Sequence, residues 1–119
     1  MRVTRIYTGD DGESHFEDVD IALLDRGAVG ALSEPIPARS VVLRETDGDY
    51  DLGWHNAPRR QFVVMLSGGS VELEVGDGTV RRLGRGDILL AEDTTGRGHQ
   101  SRAVDGVPRV SLFIELDPL

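Results

Sequence analysis

The segment from Ser70 to Leu83 constrains the fold of this chain more than any other. Ser70–Val75 alternates polar and apolar residues without a break, and this pattern gives a β-strand one buried face and one solvent-facing face. The next residues, Gly76-Asp77-Gly78, tolerate the positive φ angles of a tight turn. Thr79–Leu83 then returns as a second strand, so the segment is predicted to form a β-hairpin.

Short apolar runs bounded by glycine and aspartate recur along the rest of the chain. No window has the spacing of an amphipathic helix, and 15 glycines and 5 prolines are typical of a chain with many turns. About eight or nine short strands, spaced by about 8 to 12 residues, predict an all-β sandwich or barrel with little helix. Besides the hairpin, strands are expected at Val3–Thr8, Val19–Leu24, Val41–Glu45, Gln61–Leu66, Asp87–Ala91, His99–Val104 and Arg109–Leu116.

Composition restricts the chemistry and the partners. The 119 residues include no cysteine, and all 13 basic residues are arginine, so thiolate metal sites, thiol nucleophiles and lysine Schiff bases are excluded. A net charge of −8 would repel a phosphate backbone, so nucleic acid is not an expected partner. The longest apolar runs have about five residues, too short for a membrane span or a signal peptide. We therefore expect a soluble cytoplasmic protein.

Two segments pair histidines with glycines at fixed spacings. The first runs from His55 through Gln61 to Gly68, and the second runs from Gly86 to His99. They resemble the paired motifs of small single-domain cupins. The first cupin motif is a His, any residue, a second His, three or four residues, a Glu, six residues and a Gly. The second is a Gly, five residues, a Pro, one residue, a Gly, two residues and a His. The first spacing is kept here, and the second segment is two residues longer.

The resemblance implies a fold and a division of the chain. Its motifs cover about residues 40 to 116, and cupins form an antiparallel double-sheet jelly-roll β-barrel. Residues 40–119 would then be the barrel. Residues 1–39 would be an N-terminal arm with strands, either part of the same domain or of an interface in a homodimer. The segment from Asp25 to Ser40, with two glycines and two prolines, is expected to be a linker within the domain.

Strand geometry predicts which of these side chains converge. Alternate residues of a strand share a face, so positions 55, 57, 59 and 61 would point the same way if no bulge intervenes. His55 and Gln61 would then face one space, and the strand after the hairpin would bring His99 opposite them. Pro58 introduces a bend that would exchange Arg59 and Arg60, so either arginine is a candidate to hold an anion.

The resemblance also implies a metal site whose donor set is incomplete here. Cupins hold a divalent transition metal with imidazoles and a carboxylate, and the ligands in this chain would be His55, Gln61 and His99. Ala57 stands where the second imidazole is expected, and Gln61 replaces an anionic oxygen with a neutral amide. We therefore expect no cofactor or a weakly bound divalent transition metal, with Glu92, Asp93 or water completing its coordination.

Three functions follow from these residues. The first is acid–base chemistry of the lyase or isomerase type on a small molecule, because histidine transfers protons near neutral pH. The second is a non-catalytic small-molecule-binding cupin, and the third is a metal-dependent lyase or oxygenase. In the first, His55 and His99 are the catalytic residues. The residues expected to bind substrate are Trp54, Arg59, Arg60, Gln61 and Asp93.

Each of these residues also has a purely structural interpretation. His55 would be a hydrogen-bonded histidine in the barrel wall, and Gln61 would satisfy buried backbone groups. Glu92 and Asp93 would form a turn with the two threonines that follow. His15, in a polar segment, is expected on the surface.

Overall fold

The regular secondary structure of the chain consists almost entirely of short β-strands. A computed structural model describes all 119 residues, and none of its helices is long or apolar enough to cross a membrane. A single 3-10 turn occurs at Gly27–Val29. The strands are β1 (Arg2–Thr8), β2 (Ser14–Asp20), β3 (Leu24–Asp25), β4 (Ala31–Leu32), β5 (Ala38–Thr46), β6 (Asp51–His55), β7 (Gln61–Gly68), β8 (Val71–Glu74), β9 (Val80–Leu83), β10 (Ile88–Glu92), β11 (His99–Ala103) and β12 (Arg109–Leu116).

The strands form two main sheets and a small hairpin. The larger sheet has six strands in the order β2-β1-β10-β7-β12-β5, the smaller has the order β6-β11-β8-β9, and β3 pairs only with β4. All pairs are antiparallel except β1 with β10, which is parallel. The prediction of an all-β chain with little helix is thus confirmed. None of the sheets closes on itself into a barrel.

The main core lies between the two sheets. One cluster of buried side chains joins Ile6, Val63 and Leu89 of the larger sheet to Val71 and Leu73 of the smaller, so the sheets face each other. On β8 the apolar residues are buried while the residues between them are half-buried, as the alternating pattern predicts. Removing apolar area from water on both inner faces is the main force that holds the layers together.

A second apolar cluster covers the outer face of the larger sheet. It contains the buried side chains of Val3, Leu90 and Leu116, with partly buried Phe62 and Ile114 packed against them. Strands β7, β10 and β12 therefore carry apolar residues on both faces. This is the pattern of a sheet that is covered on both sides.

The strand predictions differ from the structure in three places. The second strand is Ser14–Asp20 rather than Val19–Leu24, and it is a polar edge strand with no long apolar run to reveal it. Strand β6, Asp51–His55, was not predicted, because a central glycine and polar residues mask its period. The expected linker at Asp25–Ser40 contains the turn, β4 and the start of β5. The N-terminal strand β1 pairs with β10 of the same chain.

Candidate functional site

A cavity of about 290 Å³ lies between the two sheets. Its walls are mostly apolar and include Val63, Met65 and Leu89 of the larger sheet. His55 and His99 enter it from the smaller sheet. This combination of an apolar concave site with a few convergent polar groups is typical of small-molecule binding sites.

Strand pairing brings the two histidines together. His55 at the end of β6 and His99 at the start of β11 are directly opposite partners in the ladder, and side chains at such positions lie on the same face. A β-bulge follows, because Gly53 and Trp54 together oppose a single residue of β11. Gly98 adopts φ +79°, and a Cβ there would overlap the carbonyl of His55. Only glycine permits this close approach of the two strands.

The two imidazole rings are in contact. Their centroids are 4.4 Å apart and their planes are inclined by 58°. The Nδ1 atom of His55 lies 2.6 Å from the carbonyl oxygen of Gly53, which can only accept, so His55 Nδ1 carries a proton there. The Nε2 atom of each ring has no hydrogen-bond partner in the protein. Both rings therefore have a nitrogen free to meet a ligand.

Asp93 lies behind His99 rather than in the cavity. It is fully buried, and its Oδ2 lies 2.6 Å from His99 Nδ1. The hydroxyl of Ser14 donates to the same oxygen at 2.7 Å. A carboxylate in this position fixes the ring orientation and places the proton on Nδ1, which leaves Nε2 to act on a ligand. Asp93 is thus a positioning residue for His99 and does not line the cavity.

The environment of His55 favours its neutral form. Burial lowers the pKa of His55 below its ordinary value of 6.5, and the neighbouring His99 and Arg44 lower it further. The carbonyl of Gly53 and the carboxyl of Asp93 act in the opposite direction without overcoming this. A neutral imidazole near pH 7 can accept a proton, so His55 is suited to act as a base.

Gln61 reaches the same cavity from the opposite sheet. It is the first residue of β7 and is buried, and both Gln61 and Ala57 line the cavity. His55 and Gln61 do not share one strand, because residues 56–60 form a bend between β6 and β7. The two side chains converge because the sheets face each other, and not through the alternation along one strand that the sequence interpretation assumed.

Arg59 and Arg60 lie outside the cavity. The bend after Pro58 interrupts strand alternation, and both side chains form ion pairs away from the cavity. Arg59 Nη1 is 3.5 Å from Glu115, and Arg60 pairs with Glu92, which also accepts a hydrogen bond from Arg5 at 2.5 Å. In the structure these arginines belong to ion pairs with Glu92 and Glu115 and do not line the cavity.

Trp54 also lies outside the cavity. It precedes His55 on β6 and therefore points to the other face. Its ring packs against the guanidinium of Arg97, whose Cζ is 4.0 Å from the ring centroid. His15 pairs with Asp11 at 3.0 Å, on the outer part of the molecule as expected.

The sequence interpretation missed the arginines that do line the cavity. These are Arg44 of β5 and Arg109 of β12, which flank Tyr50. Tyr50 Oη lies 2.7 Å from the hydroxyl of Ser101. One signal was available in advance: Arg109 shares the strand face of Phe113, so the alternation of β12 points an arginine toward the core.

The side chains around the cavity do not match the metal site of the cupin family. The chain contains no group of three or more His, Asp or Glu side chains placed to hold an ion. His55 and His99 are the two imidazoles in the cavity, and the apolar Ala57 and the neutral Gln61 face it where further donors are needed. Asp93 is already engaged by His99 and Ser14.

Comparison with protein-family models finds no match to this chain, and comparison with curated proteins finds none either.

Proposed function

We propose that the chain is a cupin-like protein whose two facing sheets form a jelly-roll barrel. Support comes from the motif spacing of the sequence, from the scarcity of helix, and from a core shared between a six-stranded and a four-stranded sheet. The interior position of His55, Gln61 and His99 is where that family keeps its functional groups. A fold of this kind hosts many functions, so the reaction has to be argued from the site.

We propose further that the cavity carries out acid–base chemistry of the lyase or isomerase type on a small molecule. The observation that carries this proposal is the contact pair His55–His99, with Asp93 buried behind one ring. Two imidazoles with free Nε2 atoms can remove a proton from one atom of a bound molecule and return one to another. Positioned acids and bases of this kind accelerate reactions by about 10²–10⁴-fold.

The surroundings assign different roles to the two rings. His55 is held neutral by burial and acts as the base. His99 is oriented by the carboxylate of Asp93, so its Nε2 atom faces the bound molecule and acts as the proton carrier at the second atom. The amide of Gln61 is placed to orient a carbonyl or hydroxyl group of the bound molecule.

Solvent exchange of acidic protons tests this proposal without knowledge of the natural substrate. The protein is incubated in D₂O with small ketones and 2-oxo acids, and the loss of protons next to the carbonyl is followed by NMR. We expect exchange above the uncatalysed rate for at least one compound, and a loss of about 100-fold or more in His55→Ala and in His99→Ala. Asp93→Asn should lose at least about tenfold.

The third histidine provides a matched control. His15→Ala removes an imidazole outside the cavity and should leave exchange unchanged. Equal exchange in the wild type and in a His55→Ala/His99→Ala double variant, for every compound, would contradict the acid–base proposal.

The alternative is a binding module that performs no reaction. One observation favours it: the cavity contains arginines without acidic partners, which bind a ligand whether or not a reaction follows. Saturable binding without proton exchange, in a protein whose binding tolerates His55→Ala and His99→Ala, would select this alternative.

A further inference from the structure

Two arginines of the cavity lack the ion pairs that most of the other arginines make. Nine of the 13 arginines form salt bridges with carboxylates, at distances up to 3.8 Å. Arg26 and Arg85 do not, but both are exposed to solvent. Arg44 and Arg109 are the remaining two, and both line the cavity.

Arg109 is the more unusual of the pair. Its residue is only 6% exposed, and its Nε and Nη1 atoms are buried without a hydrogen-bond partner. Burial, together with the nearby guanidinium of Arg44, lowers the pKa of Arg109 below its ordinary value. A buried charge without a hydrogen-bonding partner is costly, and a ligand with a negative charge would remove that cost.

The charge of the cavity is opposite to that of the protein. No aspartate or glutamate lines it, although the chain carries 21 acidic residues and a net charge of −8. Both guanidinium groups lie over aromatic rings. The Cζ atom of Arg44 lies 5.1 Å from the ring centroid of Tyr50 and 5.0 Å from that of Phe113. The Cζ atom of Arg109 lies 5.5 Å from the ring centroid of Tyr50.

We propose that the cavity binds a small monocarboxylate through Arg109 and Arg44. This inference rests on the proposed function in one respect, since it names the substrate class of the same site. A guanidinium presents two parallel N–H groups that match the two oxygens of a carboxylate. Most of the remaining wall is apolar, and it carries no further charged side chain apart from the two histidines, which suits a short hydrocarbon body rather than a second charge.

The arrangement leaves room for one such molecule between the arginines and the histidines. Ser101, which contacts Tyr50, follows His99 by two residues on β11, a distance of about 6.6 Å along a strand. A carboxylate held beside Tyr50 therefore places the next carbon atoms near the two imidazoles. The cavity volume of about 290 Å³ is close to the lower limit for ligand sites, about 300 Å³, and therefore suits a small molecule.

Calorimetric titration with matched probes tests this inference. The probes are 3-methylbutanoate, its neutral isostere 3-methylbutanamide, and inorganic phosphate. We expect the carboxylate to bind at least about tenfold more tightly than the amide, because only the carboxylate pairs with the guanidinium groups. Arg109→Gln and Arg44→Gln should each weaken carboxylate binding by about tenfold or more. Arg26→Gln, at an exposed arginine, should leave it unchanged.

Equal binding of the carboxylate and the amide would overturn the inference, as would tighter binding of phosphate than of the carboxylate. Unchanged carboxylate binding in both Arg109→Gln and Arg44→Gln would also overturn it. If Arg109→Gln does not fold, Arg44→Gln alone decides.

A His99→Gln variant separates this inference from the acid–base proposal. It should lose proton exchange while binding the carboxylate within about threefold of the wild type. Exchange that survives in His99→Gln contradicts the proposed chemistry and leaves carboxylate binding standing. Absence of carboxylate binding, with exchange still dependent on His99, contradicts only the present inference.

Discussion

The immediate neighbours of His55 and His99 determine what each imidazole can do. His99 is buried and held by a buried carboxylate, Asp93, so its ring orientation is set before any ligand binds. His55 has only the backbone carbonyl of Gly53 as a partner, and burial favours its neutral form. Two identical side chains thus differ in their hydrogen-bond partners because their surroundings differ.

The lowered pKa of His55 predicts a pH dependence of stability. Because the unfolded chain keeps the ordinary pKa of 6.5, it binds more protons than the folded chain once the pH falls below that value. The free energy of unfolding therefore keeps its full value above about pH 6.5 and decreases as the pH falls toward the pKa of His55 in the folded chain. Urea unfolding between pH 8 and pH 5 should show a smaller loss in His55→Gln than in the wild type. His15→Gln is the control, and an identical loss in all three proteins would contradict the assignment.

Arg109 should reduce the stability of the ligand-free protein. Arg109→Met replaces a buried, unpaired guanidinium with an apolar side chain of similar length. We expect the free energy of unfolding without ligand to increase by about 1 kcal/mol or more. Urea titration measures it, with Arg26→Met at an exposed site expected within about 0.5 kcal/mol of the wild type. A clear loss of stability in Arg109→Met would mean that Arg109 serves the fold and not a ligand.

Adding two donors should create a metal site in the cavity. Ala57→His together with Gln61→Glu adds an imidazole and an anionic oxygen at two buried positions that line the cavity with His55 and His99. We expect Ni²⁺ to bind at least about 100-fold more tightly than to the wild type, measured by calorimetric titration. Adding His99→Ala to the double variant should remove most of the gain. An undiminished affinity in that triple variant would show that the ion binds elsewhere.

At the scale of the strand, β6 and β11 build the site. Their pairing sets His55 opposite His99, and the bulge at Gly53 and Trp54 bends β6 beside the first histidine. The motif spacing predicted that these histidines converge, but β6 itself could not be predicted from its mixture of glycine and polar residues. One of Arg59 and Arg60 was expected to point into the cavity, and neither does. The bend after Pro58 interrupts the alternation of side chains along the strand on which that expectation was based.

Gly98 should be essential to this strand pairing. Gly98→Ala places a methyl group against the carbonyl of His55, at a residue with positive φ. Gly78→Ala also has positive φ, +86°, but its Cβ would meet open space. We expect Gly78→Ala to cost about 1–2 kcal/mol from backbone strain alone, and Gly98→Ala to cost clearly more. Urea unfolding measures both. Equal losses would mean that the close approach of β6 and β11 is not required.

At the scale of the whole molecule, the sequence predicted the all-β class but not which distant strands pair with each other. The hairpin of β8 and β9 is local, and its alternation and turn residues determine it. The pairing of β1 with β10 joins residues more than 80 positions apart, and no local pattern encodes such a partner. For the same reason the cavity arginines, on β5 and β12, were not connected with the histidines.

The outer face of the larger sheet exposes large apolar side chains on strand β5. Val41 and Leu43 of β5 are opposite Ile114 and Leu112 of β12, and Ile114 packs on the outer cluster. Leu43 is nevertheless 78% exposed. Strand β5 is also the edge of its sheet, with one row of backbone groups free to pair. Exposed apolar surface on an edge strand is typical of an interface between subunits.

We therefore predict a two-fold homodimer in which this part of the sheet packs against its own copy. An interface of standard size buries about 800 Å² on each partner, and a charge at its centre opposes association. The wild type should sediment at micromolar concentration with twice the mass of one chain, and Leu43→Arg should sediment as a single chain. Val80→Arg, on the free edge of the smaller sheet and 42% exposed, should remain a dimer. A two-fold interface contains each substitution twice, so Leu43→Arg would place two charges in it. A monomeric wild type, or a dimeric Leu43→Arg, would therefore contradict this assignment.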